Sequence, residues 1–510
     1  MKESYYITTP IYYVNDKPHI GHAYTTILCD TFARFNRLLG KKVFFLTGTD
    51  EHGEKVERTA TSLGKEVTQH VDDMVVHFKQ AWKKLNIQYD DFIRTTEARH
   101  KEVVHIVVRK LLASGDIYKG KYEGWYCVPC ESFWSDVQLA DKKCPDCHRA
   151  VNHYEEENFF FKLSNYQDWL KQYISEHPDF IIPKGKRQEV LSFLKDPLED
   201  LCISRPKKRL SWGIPFPDHE QFVMYVWFDA LINYISAPGY SVKKETFSSV
   251  WPADIHMIGK DILRQHAIYW PIMLKAAGIE QPRHIIAHGW WTIEGSKVSK
   301  SRGNIVDPIN MAAMYGVDTF RYYMLREASI GSDGAYSEEL LIRRFNSDLA
   351  NDLGNLVYRS LSMGERYFKG VIPAIDPQTI VHPIREHAEQ LGKKLEKAIN
   401  EEFDPRAAIG AIWDLISDAN KYVEDSKPWQ LKKDTSKEHQ LREFMYTLLE
   451  VIRFIGIALT PFLPETAEKI LFLLKESKVD AAALNTWGVL QPGRTLEKGQ
   501  PLFPKIEDTQ

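Results

Sequence analysis

The 510-residue sequence contains few cysteines, no long apolar run and almost no net charge. Its six cysteines are too few for a secreted disulfide scaffold of this length. No uncharged stretch approaches the roughly 18 residues that cross a bilayer, and the charged first residues lack the apolar core of a signal peptide. We therefore expect a cytoplasmic protein that is not inserted in a membrane.

Excess charge and the common phosphate-binding motifs are also missing. A formal charge of −3 gives the chain no general attraction to nucleic acid, so any polyanion must be bound by local patches. The strings G-x-x-x-x-G-K-[ST], G-x-G-x-x-G and H-E-x-x-H do not occur. What is present is an ordinary globular composition, 44 % hydrophobic and 26 % charged, with length for about three or four structural units.

The order of apolar runs and helical patterns predicts an α/β protein. Short apolar runs alternate with longer helical segments, as in a parallel sheet with helical crossovers. The predicted strands are residues 5–9, 43–47, 92–95, 223–228, 255–258 and 284–287, with helices over residues 21–39 and 261–277. Gly40 is the predicted C-cap of the first helix. From about residue 340, apolar residues recur at spacings of three and four, which indicates a helical bundle.

Four of the six cysteines form two close pairs, Cys127-x-x-Cys130 and Cys144-x-x-Cys147. Four thiolates in two turns make a closed tetrahedral site, which is typical of structural zinc. A redox dithiol is the alternative, but the pairs do not open a helix of a thioredoxin-like unit. We predict one structural Zn²⁺ bound by these four residues.

The predicted fold is thus a Rossmann-like, doubly wound parallel sheet, split by a zinc-binding insertion and followed by an all-α helical bundle. The expected domains are residues 1–117 and 225–290 for the two halves of the sheet domain, 118–224 for the insertion, 291–345 for a connector and 346–510 for the bundle.

Two histidines follow the first predicted strand, in the string Pro18-His19-Ile20-Gly21-His22. In a parallel sheet, this position offers a phosphate the unpaired N–H groups of the next helix. Both imidazoles can donate hydrogen bonds to phosphate oxygens as charge develops, and Gly21 leaves room for a base or ribose. A helix-capping histidine is the structural alternative.

A second string, Lys297-Val298-Ser299-Lys300-Ser301, lies in a glycine-flanked loop after a late predicted strand. Two ammonium groups and two hydroxyls suit a polyphosphate that a mobile loop can close over. Such a loop on its own is more often a solvated turn. The presence of the histidine string favours the functional interpretation.

The two strings together point to a family. The chain resembles the class I aminoacyl-tRNA synthetases, whose HIGH signature matches residues 19–22 letter for letter. Their KMSKS signature matches residues 297–301, with Val298 in place of methionine. From end to end, the chain most resembles the methionyl-tRNA synthetases, notably over residues 5–21, 48–53, 225–230 and 259–262.

The resemblance implies an activity and a set of site residues. Members of the family activate methionine with ATP, accompanied by Mg²⁺, and transfer it to tRNA(Met), including the initiator tRNA. The implied ATP-binding residues are His19, Gly21, His22, Lys297, Ser299, Lys300 and Ser301, of which His19, His22, Lys297 and Lys300 are catalytic. The implied methionine-binding residues are Ile11, Tyr13, Asp50, Trp227, Ala230, Tyr234, Asp261, Ile262, His266 and Trp270. Asp50 accepts the ammonium group; for any one aromatic residue, core packing would otherwise be the better interpretation.

The helical region carries a second set of candidates. In the family, residues matching Asn355, Arg359 and Trp429 recognise the CAU anticodon. Amide, guanidinium and indole groups read unpaired bases by edge hydrogen bonds and stacking. From periodicity alone, helix capping by the asparagine and core burial of Trp429 are favoured. Basic clusters at residues 184–187 and 205–209 are candidates for contact with the tRNA backbone, although such runs are more often solvated surface.

Three other functions are less consistent with the sequence. A cysteinyl enzyme of the same class binds its substrate through zinc with dispersed ligands, unlike the compact four-cysteine site here. A HIGH-bearing nucleotidyltransferase for a small metabolite has no use for the bundle, and a zinc-bearing RNA-binding protein has none for two phosphate sites. A monomer is expected, because the chain ends without the C-terminal OB-fold that dimerises many family members.

Overall fold

The structure, a computed structural model, describes residues 3–128, 130, 132–134, 139, 141, 143–293, 296–297, 306–497 and 499–506. The chain separates into two compact units. The first comprises Met1–Cys29, Val43–Lys83 and Gln88–His288. The second comprises Asp30–Lys42, Lys84–Ile87 and Gly289–Gln510.

The elements up to residue 288 alternate strands and helices. In chain order they are β1 (Ser4–Thr8), β2 (Tyr12–Tyr13), α1 (Ile20–Leu38), β3 (Lys42–Asp50), α2 (Glu54–Ser62), α3 (Val67–Lys84), β4 (Asp91–Arg94), α4 (Ala98–Ala113), β5 (Ile117–Cys127), β6 (Ser132–Trp134), β7 (Asn152–Phe161), α5 (Gln167–Glu176), β8 (Ile181–Ile182), α6 (Lys184–Phe193), β9 (Leu201–Cys202), β10 (Ser204–Pro206), β11 (Phe222–Met224), α7 (Val226–Leu231), α8 (Asn233–Ser236), α9 (Lys244–Val250), β12 (Ile255–Gly259), α10 (Trp270–Ala276) and β13 (His284–His288).

The elements after residue 288 are mostly helices. They are β14 (Trp291–Ile293), β15 (Ser296–Lys297), α11 (Pro308–Tyr315), α12 (Val317–Glu327), β16 (Gly334–Ala335), α13 (Glu338–Arg344), α14 (Asn355–Phe368), α15 (Pro383–Asn400), α16 (Pro405–Ser426), α17 (Pro428–Leu431), α18 (Glu438–Leu459), α19 (Pro464–Leu473) and α20 (Ala481–Asn485).

A seven-stranded parallel sheet organises the first unit. Its strand order is β2-β3-β1-β12-β13-β8, with β4 paired to β3. β1 pairs in parallel with β12, and β12 with β13. All residues of β1 and β12 are buried, as expected where helices cover both faces of a parallel sheet. The predicted fold class, with its helical second region, is confirmed.

The bounds and the C-cap of the first helix, α1, agree with the sequence prediction. α1 begins and ends within one residue of the predicted helix, residues 21–39. Gly40 takes the left-handed conformation with φ 80°, and its N–H donates to the Arg37 carbonyl. The predicted glycine C-cap is therefore confirmed.

Two features of the sheet differ from the sequence prediction. The predicted strand over residues 223–228 is wrong: β11 ends at Met224 and pairs antiparallel with β10, while α7 begins at Val226. A short apolar run that is buried on every side has no periodicity to separate strand from helix. In addition, β8, which lies within the predicted insertion, pairs in parallel with β13. A two-residue strand leaves no sequence pattern to detect.

The insertion also forms a sheet of its own, with strand order β6-β5-β7-β9. β5 and β7 pair antiparallel from Ile117 opposite Phe161 to Tyr126 opposite Asn152. This long antiparallel pairing of β5 with β7 positions Cys127 at one end of β5.

The second unit is a helical bundle built around α18. Every residue of α18 from Phe444 to Leu459 is buried. Among the described residues, no helix is both long enough and apolar enough to span a bilayer.

Candidate active site

Several of the candidate methionine-binding residues lie at the carboxyl ends of β1, β3 and β12. Ile11 and Tyr13 follow β1, and Asp50 ends β3. Tyr13 lies opposite Asp50 where β2 pairs with β3. Ile262 follows β12, which is hydrogen-bonded to β1. Because neighbouring parallel strands end at the same edge of a sheet, this arrangement forms the crevice in which α/β proteins bind ligands.

His19 and His22 lie where the chain enters α1 from this edge. Their rings stack with centroids 3.8 Å apart and planes 20° apart. The Gly21 N–H donates to His19 Nδ1 at 3.1 Å, and the His19 N–H donates to His22 Nδ1 at 3.2 Å. Because each Nδ1 accepts a hydrogen bond, the proton of each neutral ring is on Nε2. Each ring therefore presents an Nε2–H donor, the group that a phosphate oxygen needs.

Two neighbours hold this histidine pair in place. A Cβ atom on residue 21 would lie 3.0 Å from His19 Cε1, so glycine allows the ring to fold back over the turn. Tyr12, which the sequence analysis did not single out, packs its ring 4.8 Å from that of His22. The Tyr12 hydroxyl lies 2.7 Å from Thr26 Oγ1.

The lysine loop is described only in part. Lys297 is on β15, whose backbone pairs antiparallel with β14, Thr292 lying opposite Lys297. The predicted sites Ser299, Lys300 and Ser301 lie outside the described residues.

Tyr234, His266 and Trp270 form a buried cluster, each at most 2 % exposed. The Tyr234 ring centroid is 5.7 Å from those of His266 and Trp270. His266 Nδ1 lies 2.8 Å from the Ile262 carbonyl oxygen, and His266 Nε2 lies 2.7 Å from the Tyr234 hydroxyl. A carbonyl only accepts, so the His266 proton is on Nδ1 and the Tyr234 hydroxyl donates to Nε2. Burial lowers the pKa of His266 to about 4, which keeps the ring neutral near pH 7.

An irregular helix positions His266. The predicted helix over residues 261–277 is a 3₁₀ turn at Lys260–Ile262, a π-turn at Gln265–Tyr269 and then α10. Single π-turns inside helices are frequent at functional sites, because the extra residue redirects a side chain. Within this segment Asp261 is exposed and Ile262 is half-buried.

The helix α7 carries Trp227 and Ala230. Ala230 is 3 % exposed, whereas the Trp227 side chain is half-buried. Trp227 Nε1 is buried and has no hydrogen-bond partner among the described residues. An indole in this state is suited to be a partly open apolar wall.

Sequence reasoning missed a buried polar group on the same helix. Asp229 has no exposed surface and lies 3.1 Å from His52 through Oδ2 and Nδ1. His100 Nε2 lies 3.6 Å from Asp229 Oδ1. The available signal was position: Asp229 and His52 each belong to a segment, residues 225–230 and 48–53, that carried the family resemblance.

The four paired cysteines converge. Their sulfur atoms all lie within 4.8 Å of one another, with Cys127 to Cys147 at 3.5 Å and Cys130 to Cys144 at 3.9 Å. Zinc–sulfur bonds of about 2.3 Å would put tetrahedral sulfurs roughly 3.8 Å apart, so the four ligands fit such an ion. A hydrogen bond from Cys130 lowers the pKa of Cys127 to about 5, while burial raises that of Cys144 to about 11. This cluster could hold a metal ion.

Comparison with known proteins identifies the family to which this chain is related. The family described as tRNA synthetases class I (M) matches residues 5–155 and 150–361, and the anticodon binding domain of methionyl tRNA ligase matches residues 381–510. The chain belongs to the methionyl-tRNA synthetase family. It is therefore related to class I aminoacyl-tRNA ligases along its whole length, as the sequence predicts.

Individual relatives and a solved structure are similar to this chain over nearly its whole length. The methionine–tRNA ligase of Caldanaerobacter subterraneus subsp. tengcongensis is 49 % identical over 99 % of this chain and 80 % of the relative. That of Clostridium acetobutylicum is 48 % identical over 99 % of this chain and 79 % of the relative. The solved Mycobacterium tuberculosis methionyl-tRNA synthetase bound by methionyl-adenylate is 42 % identical, with a TM-score of 0.93 over 98 % of this chain and 100 % of that one.

The candidate anticodon residues lie on the bundle. Asn355 is exposed at the start of α14, and Trp429 in α17 is 44 % exposed. Core burial of Trp429, the choice from periodicity alone, is therefore wrong. Arg359 is positioned by α16: its guanidinium donates to Glu424 Oε1 at 2.8 Å and to Asn420 Oδ1 at 2.8 Å. α16, which holds the Arg359 guanidinium, ends three residues before Trp429.

Tyr358 is a further exposed aromatic residue, on the same helix as Asn355 and Arg359, that sequence reasoning missed. It lies between Asn355 and Arg359 on α14 and is 47 % exposed. Asn355, Tyr358 and Arg359 have the spacing that puts side chains on one face of a helix.

One basic cluster differs from expectation. Arg205 is only 1 % exposed, with its guanidinium 4.5 Å from the Tyr225 ring centroid. Arg209 lies 3.6 Å from the Tyr154 ring centroid and pairs with Glu156 at 2.8 Å. Neither arginine is the exposed cation that the sequence suggested, because aromatic side chains cover both.

Proposed function

We propose that this chain is a methionine–tRNA ligase that activates L-methionine with ATP and charges tRNA(Met), including the initiator tRNA. The observation that carries the proposal is the stacked histidine pair at the carboxyl edge of the sheet, the edge at which Tyr13 lies opposite Asp50, in a chain that belongs to this family throughout. Class membership alone does not select the amino acid; the buried aromatic and imidazole cluster is what suits a methionine side chain.

The reaction needs no nucleophile from the protein. A methionine carboxylate oxygen attacks the α-phosphorus of ATP, and the bond to the β-phosphate breaks with the electron pair leaving on pyrophosphate. A ribose hydroxyl at the tRNA 3′ end then attacks the methionyl carbonyl, and AMP leaves. The protein accelerates these steps by positioning the reactants and stabilising developing charge.

The histidines and lysines divide the charge stabilisation. The Nε2–H groups of His19 and His22 donate to phosphate oxygens, and Gly21 allows the nucleotide to approach the backbone. Lys300, with Lys297, Ser299 and Ser301, neutralises the departing pyrophosphate. Mg²⁺ accompanies ATP and offsets charge on its phosphates.

Methionine occupies the crevice between the strand ends and the buried cluster. Its ammonium group binds the carboxylate of Asp50, which is 3 % exposed, because a buried cation needs a charged acceptor. Its thioether packs against the aromatic and apolar residues, and polarizable sulfur gains from contact with ring edges. The residues that form the pocket are Ile11, Tyr13, Trp227, Ala230, Tyr234, Asp261, Ile262, His266 and Trp270.

The remaining sites support the larger substrate and the fold. Asn355, Arg359 and Trp429 bind the CAU anticodon by edge hydrogen bonds and stacking. Cys127, Cys130, Cys144 and Cys147 would hold Zn²⁺, which would supply a structural crosslink in the insertion. A cytoplasmic location and a monomeric state complete the proposal, in keeping with the family's role in translation.

The test is amino-acid-dependent exchange of labelled pyrophosphate into ATP, with each of the standard amino acids in turn. We expect exchange with methionine alone. Exchange with cysteine would move the chain to the cysteinyl enzymes, and no exchange with any amino acid would refute a ligase function.

The lysine assignment has its own test. We expect Lys300→Ala to lower the exchange rate much more than it weakens methionine binding, which is measured separately by fluorescence titration. Unchanged exchange in this variant would refute the role of Lys300.

A further inference from the structure

Asp229 is a buried carboxylate that the proposed reaction does not use. It lies on α7 between Trp227 and Ala230 and has no exposed surface. Its N–H donates to the Tyr225 carbonyl in the first turn of this helix. Burying a carboxylate is costly, and an apolar residue of similar volume would pack in its place at no such cost. Its retention therefore calls for a role beyond core packing.

The two oxygens of Asp229 face two histidines. His52 Nδ1 lies 3.1 Å from Oδ2 and, because a carboxylate only accepts, it is the donor. His100 Nε2 lies 3.6 Å from Oδ1, slightly beyond hydrogen-bond distance. These histidine side chains are 3 % and 0 % exposed, so solvent does not screen either interaction.

The second histidine, His100, connects this group of polar side chains to another helix. His100 Nδ1 lies 2.8 Å from Ser236 Oγ, at the end of α8. Burial raises the cost of charge on Asp229, yet the attraction and hydrogen bond of His52, with His100 close by, outweigh it and hold the pKa of Asp229 below its usual value. The carboxylate therefore stays ionised in the interior.

This arrangement connects two segments that carry residues of the proposed methionine pocket. His52 comes two residues after Asp50, in the short connection between β3 and α2. Asp229 comes two residues after Trp227 and directly before Ala230. A shift of either segment would change the distance between the ammonium acceptor and the thioether wall.

We propose that Asp229 is a positioning residue for methionine. Its buried carboxylate joins the connection after Asp50 to the helix that carries Trp227, through His52, with His100 as the second support. This inference rests on the proposed function and adds a determinant of methionine affinity that does not touch the ligand.

Steady-state exchange kinetics on the full chain test the proposal. Asp229→Asn keeps the volume and removes the charge, and we expect it to raise KM for methionine about tenfold while KM for ATP changes less than about twofold. The control is Asp30→Asn, a buried aspartate with 0 % side-chain exposure, paired with Arg34 and Arg321. A merely structural loss would affect both substrates in both variants.

Rescue by a conservative variant sharpens the test. We expect His52→Leu to raise KM for methionine as Asp229→Asn does, and His52→Gln, whose amide can still donate to the carboxylate, to stay near the wild type. In the double variant, the two changes should not add, because they remove the same interaction. If Asp229→Asn does not fold, the His52 pair decides.

Three results would overturn the inference. These are an unchanged KM for methionine in both Asp229→Asn and His52→Leu, equal increases in KM for methionine and ATP, or equal behaviour of His52→Leu and His52→Gln. Absence of exchange by the wild type with every amino acid would instead refute the proposed function itself. The two failures are therefore distinguishable.

Discussion

The proposed methionine pocket and the proposed anticodon surface are built in opposite ways. In the pocket, Tyr234, His266 and Trp270 are almost fully buried, and hydrogen bonds fix the tautomer of the imidazole. On the bundle, Trp429 and Tyr358 are 44 % and 47 % exposed. The guanidinium of Arg359 is held by Glu424 and Asn420 on a neighbouring helix, α16.

The difference follows from the size of the ligand. A small amino acid can be enclosed, so burial and preorganised polar groups can discriminate it strongly. A tRNA loop stays outside the protein, so its bases must be met by exposed rings and amides. Changes in the methionine pocket should therefore affect adenylate formation, and changes on the anticodon surface should affect only charging of tRNA.

The largest expected effect is in the histidine pair. We expect His19→Ala to lower kcat for pyrophosphate exchange about 10²- to 10³-fold, because an oriented donor to the developing phosphate charge is lost. Methionine affinity, measured by tryptophan fluorescence, should stay near the wild-type value. A similar loss of affinity would show that His19 supports the pocket and does not act at the phosphates.

Asp50 comes next. We expect Asp50→Asn to reduce kcat/KM for methionine about 10²-fold, because a buried ammonium group would lose its charged acceptor. KM for ATP in the same exchange assay serves as the internal control. An unchanged kcat/KM for methionine would remove Asp50 from the site.

The buried imidazole of His266 gives a smaller, pH-dependent effect. The unfolded chain binds a proton at His266 near pH 6.5, whereas the folded chain binds it only near pH 4. The contribution of this residue to folding stability is therefore fully present above about pH 6.5 and is lost as the pH falls toward 4. Between pH 7 and pH 5 this residue should cost about 2 kcal/mol of unfolding free energy.

Urea unfolding at the two pH values checks this expectation. His266→Gln should flatten the pH dependence by that amount, and His439→Gln, at an exposed position, should leave it unchanged. Equal pH dependence in His266→Gln and the wild type would contradict the buried neutral assignment.

The smallest expected effect is on the bundle. We expect Trp429→Ala to lower kcat/KM for tRNA about tenfold through loss of one stacked base, with exchange kinetics unchanged. Phe472→Ala is the matched control, since Phe472 is another exposed aromatic residue of the bundle, at 66 % exposure. Equal charging by both variants would break the contrast between the two regions.

Much of this organisation could be predicted because its signals are local. The histidine string, the paired cysteines and the glycine at the end of α1 each depend on residues a few positions apart. The error at α7 arose because residues 225–228 form a short apolar run, buried except for the half-buried Trp227, which leaves no periodicity to separate strand from helix. The contact of His52 with Asp229 joins residues 177 positions apart, and no short-range pattern encodes it.

Exposure was equally hard to foresee. An isolated tryptophan in a helical region is usually packed, and only the turn at Lys427, with φ 47°, brings Trp429 to the surface after α16. Likewise, Arg205 is in a cationic run, yet folding of the insertion brings the rings of Tyr126 and Tyr225 over its guanidinium. Both outcomes depend on tertiary packing that overrides composition.

The most direct test of the account is methionine attachment to two tRNA(Met) transcripts, one with the CAU anticodon and one with that anticodon replaced, alongside methionine-dependent exchange without tRNA. The account predicts efficient charging of the CAU transcript, a large loss of charging with the replaced anticodon, and exchange that is independent of either. Equal charging of the two transcripts, or none of either despite active exchange, would contradict the division of recognition between the two regions.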